Sequence, residues 1–178
     1  MTRPFLVLVG IPGAGTSSVA RAVAARLGAP VVDTDDEVAA HAGLPTEDAF
    51  LDLGERRFRK LEAEVVARVL AGAELAATTG PVVALGSGAV THSREAIDEA
   101  RAAGTLVVHL DVGLAQAAPR AGLVGAQPLG LGAPRALMAR FAAERRPLYE
   151  GVADVTIDAG ALDLDAVVAE VLRAVAAH

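Results

Sequence analysis

Cysteine is absent from this 178-residue chain, which excludes disulfides, thiolate metal sites and cysteine nucleophiles together. Tryptophan is absent too, and the aromatic residues amount to only 3% of the chain. With a hydrophobic fraction of 53%, the core is expected to consist mainly of Val, Leu and Ala, a composition that suits an α/β layer protein. Lysine is almost missing: Lys60 stands alone among arginines. Net positive charge is missing as well, and a formal charge of −6 argues against a general binder of nucleic acid or anionic membranes. A few converging arginines can still hold an anion locally. Long apolar runs are also lacking. The run Phe5-Leu6-Val7-Leu8-Val9 leads straight into a glycine-rich turn, too short for a secretory core or a membrane span. It reads as a buried first strand, and the expected location is the cytoplasm.

Short apolar runs alternate with amphipathic segments, the pattern of βα units around a parallel sheet. Strands are expected at 5–9, 30–33, 82–85, 105–110 and 155–157. Helices are expected at 17–27, 45–53, 55–70, 94–103, 134–144 and 162–177, with Gly54 separating the second from the third. In the third, Phe58, Leu61, Val65, Val69 and Leu70 recur at helical spacing, so one face is core. Residues 119–134 are glycine-rich without helical period and read as a lid-length loop, a length that is usually functional or disordered. No internal repeat or linker interrupts the chain, so 1–178 reads as one domain with a small helical insertion between strands two and three.

The stretch Gly10-Ile11-Pro12-Gly13-Ala14-Gly15-Thr16-Ser17-Ser18 has the glycine spacing and the serine of a phosphate-binding loop, between an expected strand and an expected helix. Backbone N–H groups of such a turn close around a phosphate, and the helix N-terminus adds partial positive charge. The alternative is a tight βα turn that uses glycine for conformation alone. Thr16 stands where the motif needs lysine, whose ammonium follows charge as it moves to the leaving group. Threonine offers one neutral hydrogen bond, and losing a single preorganised donor typically costs roughly 10²- to 10³-fold in rate. A drift towards arginine would have supplied Arg, not Thr.

Four further motifs follow in order: Asp33-Thr34-Asp35; Gly54-Glu55-x-x-Phe58-Arg59-x-x-Glu62; Leu85-Gly86-Ser87-Gly88-Ala89-Val90; and Glu144-Arg145-Arg146-Pro147-Leu148-Tyr149. Together with the loop, the set resembles the shikimate kinase family along nearly the whole chain. The resemblance implies a P-loop kinase of nucleoside-monophosphate-kinase type: a three-layer α/β/α fold with five parallel strands, a helical substrate segment at about 34–62, and a lid at about 119–134. It implies ATP and Mg²⁺, shikimate or a similar small hydroxy acid as substrate, and a monomer. Gly10, Gly13, Ala14, Gly15, Thr16, Ser17, Ser18 and Arg120 would face the nucleotide. Ser17 would be the direct ligand of Mg²⁺ and Asp33 would hold it through water. Asp35 would orient or deprotonate the attacking hydroxyl, with Thr16 at the other catalytic position. Arg59 and Arg145 would clamp the carboxylate, and Gly86, Ser87 and Gly88 would offer backbone amides to ring hydroxyls. Elementary chemistry agrees: a polyhydroxy acid needs guanidiniums for its carboxylate and acids for its hydroxyls. The plainer alternatives are helix capping for Asp33 and Asp35 and a solvated helix face for the two arginines.

Three departures from the family pattern touch chemistry: Thr16 for lysine, Gln127 for the lid arginine that reaches phosphate, and Ser87 for the middle glycine of the substrate turn. Two cations are missing on the phosphate side, whereas the carboxylate clamp is complete. Three readings follow. One is an ATP-dependent kinase for the 3-hydroxyl of shikimate, slowed or rescued by another cation such as Arg21 or Arg120. The second is a pseudokinase that binds such an acid without transferring phosphate. The third is another small-molecule P-loop kinase, such as a gluconate kinase. His41, His92, His109 and His178 show no metal-ligand spacing, and His109 reads as an ordinary strand residue.

Overall fold

Parallel strands covered on both faces read as near-continuous apolar runs rather than alternating, and the central strands of this chain do, apart from His109 and Asp111. The computed structural model describes residues 5–72, 80–121 and 134–178. Strand β1 (Leu6–Val9) is fully buried along its length and pairs in parallel with β3 (Val82–Ala84) on one side and β4 (Leu106–Asp111) on the other. The edges are β2 (Val31–Asp33) and β5 (Val155–Asp158), giving a five-stranded parallel sheet in the order β2-β3-β1-β4-β5. The chain therefore builds first to one side of β1 and then to the other. The C-terminal end of β1 is the topological switch point, where ligands of open α/β sheets bind.

Helix α1 (Thr16–Leu27) starts from that point. Its Val19, Ala20, Val23 and Ala24 are buried on one face, and Gly28 ends it in a left-handed turn whose N–H donates to the Ala24 carbonyl. Helices α2 (Thr34–Ala42), α3 (Thr46–Leu53) and α4 (Glu55–Leu70) form the insertion between β2 and β3. Phe58, Val65, Val66, Val69 and Leu70 seat α4 on the core, each fully buried Val or Leu contributing about 1.5–3 kcal/mol over an exposed one. A 3-10 turn (Ala89–Thr91) and α5 (Arg94–Ala102) lead to β4, followed by α6 (Leu114–Arg120), α7 (Pro134–Val152) and α8 (Leu164–Ala177).

Three expectations need correction. Helix α2 begins immediately at Thr34, inside the helical segment that the resemblance implies at about 34–62, although the residue pattern by itself marked no helix before 45. Its exposed first turn, Asp35-Asp36-Glu37, hides a core contact limited to Thr34 and Val38. Second, 119 and 120 are not lid loop but the last turn of α6, which accommodates Pro119. Most of the expected lid, including Gln127, lies outside the described residues. Third, α7 runs eight residues beyond the expected end at 144 and carries Pro147 inside it. An interior proline removes one helix bond. The Arg146–Glu150 pair at 3.0 Å and the buried Tyr149 and Val152 hold the turn beyond it.

Candidate active site

The phosphate loop connects β1 to α1. Gly13 is left-handed at φ 81°, and a Cβ there would overlap the Ala117 carbonyl oxygen of α6. Gly15, at φ 90°, is the N-cap of α1 and offers no side chain, so the first amides of the helix are left for an incoming anion. Behind the loop, the Ala14 N–H donates to the Ile11 carbonyl at 2.9 Å, and Gly10 is buried with no room for a Cβ, 2.9 Å from Ala14 Cβ.

In front of the loop lies a cavity of about 270 Å³ lined by Gly13, Thr16, Ser17, Asp33, Asp35 and Ser87 among others. It joins the phosphate loop to the substrate motifs, and no lysine or arginine lines it among the described residues. Ser17 and Asp33 share it, an oxygen donor pair suited to Mg²⁺ that keeps water and phosphate as its remaining ligands. No group of three or more His, Asp or Glu among the described residues could hold a metal alone. A second cavity, about 290 Å³, opens on the other side of Gly15 and Ser18. It is lined by Arg120 and by Ala159, Leu162, Leu164 and Val167 of the chain's last segment. Those four apolar residues were not anticipated from the sequence; nothing but their position past β5 could have marked them.

Asp33 does cap α2, its Oδ1 accepting from the Asp35 N–H at 3.2 Å, and so it serves the local helix as well as the cavity. Arg21, a candidate replacement cation, points to this corner instead of the loop: its Nη2 is 3.8 Å from a carboxylate oxygen of both Asp33 and Asp36. Asp35 is fixed at its backbone, where the Thr46 hydroxyl donates to its carbonyl at 2.9 Å. Desolvation, followed by the negative charges of Asp33, Glu62 and Asp36, pushes its carboxyl up to about 6, with Arg59 pulling the other way. Asp35 keeps surface open to the cleft, so water there offsets part of the desolvation, while the neighbouring acids act in either case.

The turn at 86–88, expected from the sequence to meet substrate, is shaped by the residues above it. The Gly86 N–H donates to the buried Thr34 hydroxyl at 2.8 Å, which ties the turn to the end of β2. A Cβ on Gly86 would overlap the Asp35 carboxylate, and one on Gly88 would lie 2.5 Å from Arg59 Nη1. Both glycines therefore clear space for a charged side chain, Asp35 at one and Arg59 at the other. Ser87, between them, lines the cavity. Arg59 is not a solvated helix residue: its side chain is 22% exposed, with Nη1 2.8 Å from the buried Glu62. The edge-to-face pair Phe50–Phe58, with centroids 5.3 Å apart, lies under its guanidinium at 5.8 and 5.4 Å. Arg145 reaches the same turn from α7, its Nη1 3.5 Å from the Ser87 carbonyl oxygen and its guanidinium 5.1 Å from the Phe141 ring. The sole tyrosine, Tyr149, was noted only as part of a motif; its hydroxyl donates to that same carbonyl at 2.6 Å.

Comparison with known proteins agrees with this geometry. A family model described as shikimate kinase matches residues 12–176. A shikimate kinase of Thermobifida fusca is 45% identical over 156 residues, covering 88% of this chain and 86% of its own length. A solved shikimate kinase from Acinetobacter baumannii, in complex with shikimate, superposes with a TM-score of 0.83 at 27% identity, over 99% of this chain and 94% of that one. A gluconokinase from Sinorhizobium meliloti reaches a TM-score of 0.61 at 21% identity over 98% of this chain and 94% of its own, a likeness of fold alone. With the family model running from the phosphate loop into the last helix, and a relative this similar across both chains, the chain belongs to the shikimate kinase family.

Proposed function

We propose that the protein transfers the γ-phosphoryl group of ATP to the 3-hydroxyl of shikimate, more slowly than a kinase with a charged phosphate loop. The observation that supports it best is the convergence of Asp35, Arg59 and Arg145 on the 86–88 turn, beside a cavity that the phosphate loop shares. Arg59 and Arg145 would take the substrate carboxylate and thereby present a ring hydroxyl to Asp35. As the hydroxyl oxygen bonds to the γ-phosphorus, the bond to the β–γ bridging oxygen breaks, ADP leaves, and the hydroxyl proton passes to Asp35. A carboxyl with its proton affinity raised to about 6 is still ionised at neutral pH and is better matched to that proton than an ordinary aspartate. Amides of the loop would hold the phosphates, and Ser17 and Asp33 would hold Mg²⁺, which when bound would supply neutralisation of the phosphate charge. Phosphoryl transfer depends chiefly on alignment and charge stabilisation, and alignment is what this site retains. Residues 34–62 act in this reading as the substrate segment of a single domain, which works in the cytoplasm as a monomer.

The absence of any lysine or arginine from the lining of that cavity, among the described residues, supports a second reading, a binding protein that holds shikimate without phosphorylating it. An ADP-release assay with shikimate on the wild type and on Thr16→Lys separates the two. Slow wild-type turnover, raised about 10²- to 10³-fold in Thr16→Lys, is the expected result. Wild-type turnover within the usual kinase range of about 1–100 s⁻¹ would show that the missing cation has been replaced. No turnover in either protein, with thermal stabilisation by shikimate alone, would favour the binding module. No stabilisation by shikimate would remove the substrate from both readings.

A further inference from the structure

Tyr149 is buried, with 1% of its surface exposed, and its ring stacks on His109 in the middle of β4, centroids 5.3 Å apart at 26°. His109 is itself 2% exposed and its Nδ1 has no hydrogen-bond partner, so it offers the stack a flat surface without competing for the phenol. The hydroxyl reaches from this stack to the Ser87 carbonyl at 2.6 Å. Arg145 Nη1 approaches the same oxygen at 3.5 Å, the outer limit of a hydrogen bond. Two donors therefore address one carbonyl, and the phenol holds it more closely.

We infer that Tyr149 is a positioning residue for substrate binding: by satisfying the Ser87 carbonyl, its hydroxyl keeps Arg145 available for the substrate carboxylate. A part-buried carbonyl left without its donor is costly, and the nearest replacement is the guanidinium beside it. Without the phenol, Arg145 turns towards Ser87, its charge is spent on the protein's own backbone, and the carboxylate has to compete for it. Burial also raises the phenol to about 12, with Arg145 opposing, so it remains a donor across the working pH range. This inference rests on the reading of Arg145 as part of the carboxylate clamp.

The test is a double-mutant cycle on shikimate affinity, measured by calorimetry with Tyr149→Phe, Arg145→Ala and the double variant. Tyr149→Phe keeps the ring and its stacking on His109, so the fold is retained. The expected result is about a tenfold weaker Kd for shikimate in Tyr149→Phe, equivalent to one lost hydrogen bond to a charged clamp. Affinity for ATP should be unchanged. In the Arg145→Ala background the same change should cost less than about twofold, because the residue through which it acts is gone. Equal losses in both backgrounds would overturn the inference and leave Tyr149 a packing residue; an unaltered Kd in Tyr149→Phe would do the same. A wild type that binds no shikimate, or an Arg145→Ala variant that binds it normally, would overturn the clamp reading and the inference with it.

Discussion

The two halves of the cleft are built from different materials. On the half expected to take substrate, each charge is a side chain set against other side chains: Arg59 against Glu62 and two phenylalanines, Arg145 against the Phe141 ring. On the phosphate half, the cradle is backbone, fixed by left-handed glycines and an uncapped helix start, and its chargeable position holds Thr16. A backbone cradle outlasts any one side chain, whereas a point charge disappears with a single substitution. Among the described residues the phosphate half keeps its backbone shape with no lysine or arginine in the cavity before the loop, whereas the other half carries Arg59 and Arg145.

The largest effect should come from the residue that belongs to both halves. Asp35→Asn should lower turnover about 10²- to 10⁴-fold, the usual contribution of a positioned base, while thermal stabilisation by ATP and Mg²⁺ persists. Loss of that stabilisation would mean that the halves are not separable. Next is the gain expected on recharging the loop with Thr16→Lys, which should leave shikimate affinity alone. Any tightening of shikimate binding there would erode the contrast from the other side. Smaller again is Gly88→Ala. Its φ of −86° suits any residue, so the cost is space only: the added Cβ displaces Arg59 and should weaken shikimate binding about tenfold. Ser87→Gly, where no such collision exists, should change it less than about threefold, as titration calorimetry on the pair would show. The smallest effect is on stability. The raised carboxyl of Asp35 lets the folded protein hold a proton that the unfolded chain releases from about pH 4 upwards. Its favourable contribution is thus complete below that pH and is lost as the pH rises through about 6. Asp35→Asn should therefore melt above the wild type at pH 7–8, by about one or two degrees because cleft water screens the charge. That gap should close towards pH 4 in a thermal melt series.

Much of this was legible in residue pattern. The strands announce themselves as apolar runs because both faces of the sheet are covered, and α1 and α4 through one-sided periodicity. The elements that escaped are those whose signal is masked. Helix α2 opens with three consecutive acids, and α6 and α7 contain prolines that ordinarily mark helix ends. At the site, motif spacing picked out Asp35, Arg59 and Arg145, but their supports could not be read that way. The Phe50–Phe58 platform comes from two different helices, and Tyr149 meets a backbone carbonyl 62 residues away. A carbonyl acceptor is carried by every residue and leaves no trace in a sequence.

One feature of the core also makes the molecule its own instrument. With no tryptophan and a single tyrosine, near-ultraviolet absorption and emission above the weak phenylalanine background come from one phenol. That phenol is bonded to the turn expected to receive substrate. Ligand arrival, clamp closure and local loosening can therefore be followed in the unlabelled wild type, with the colour of one ring reporting on one carbonyl.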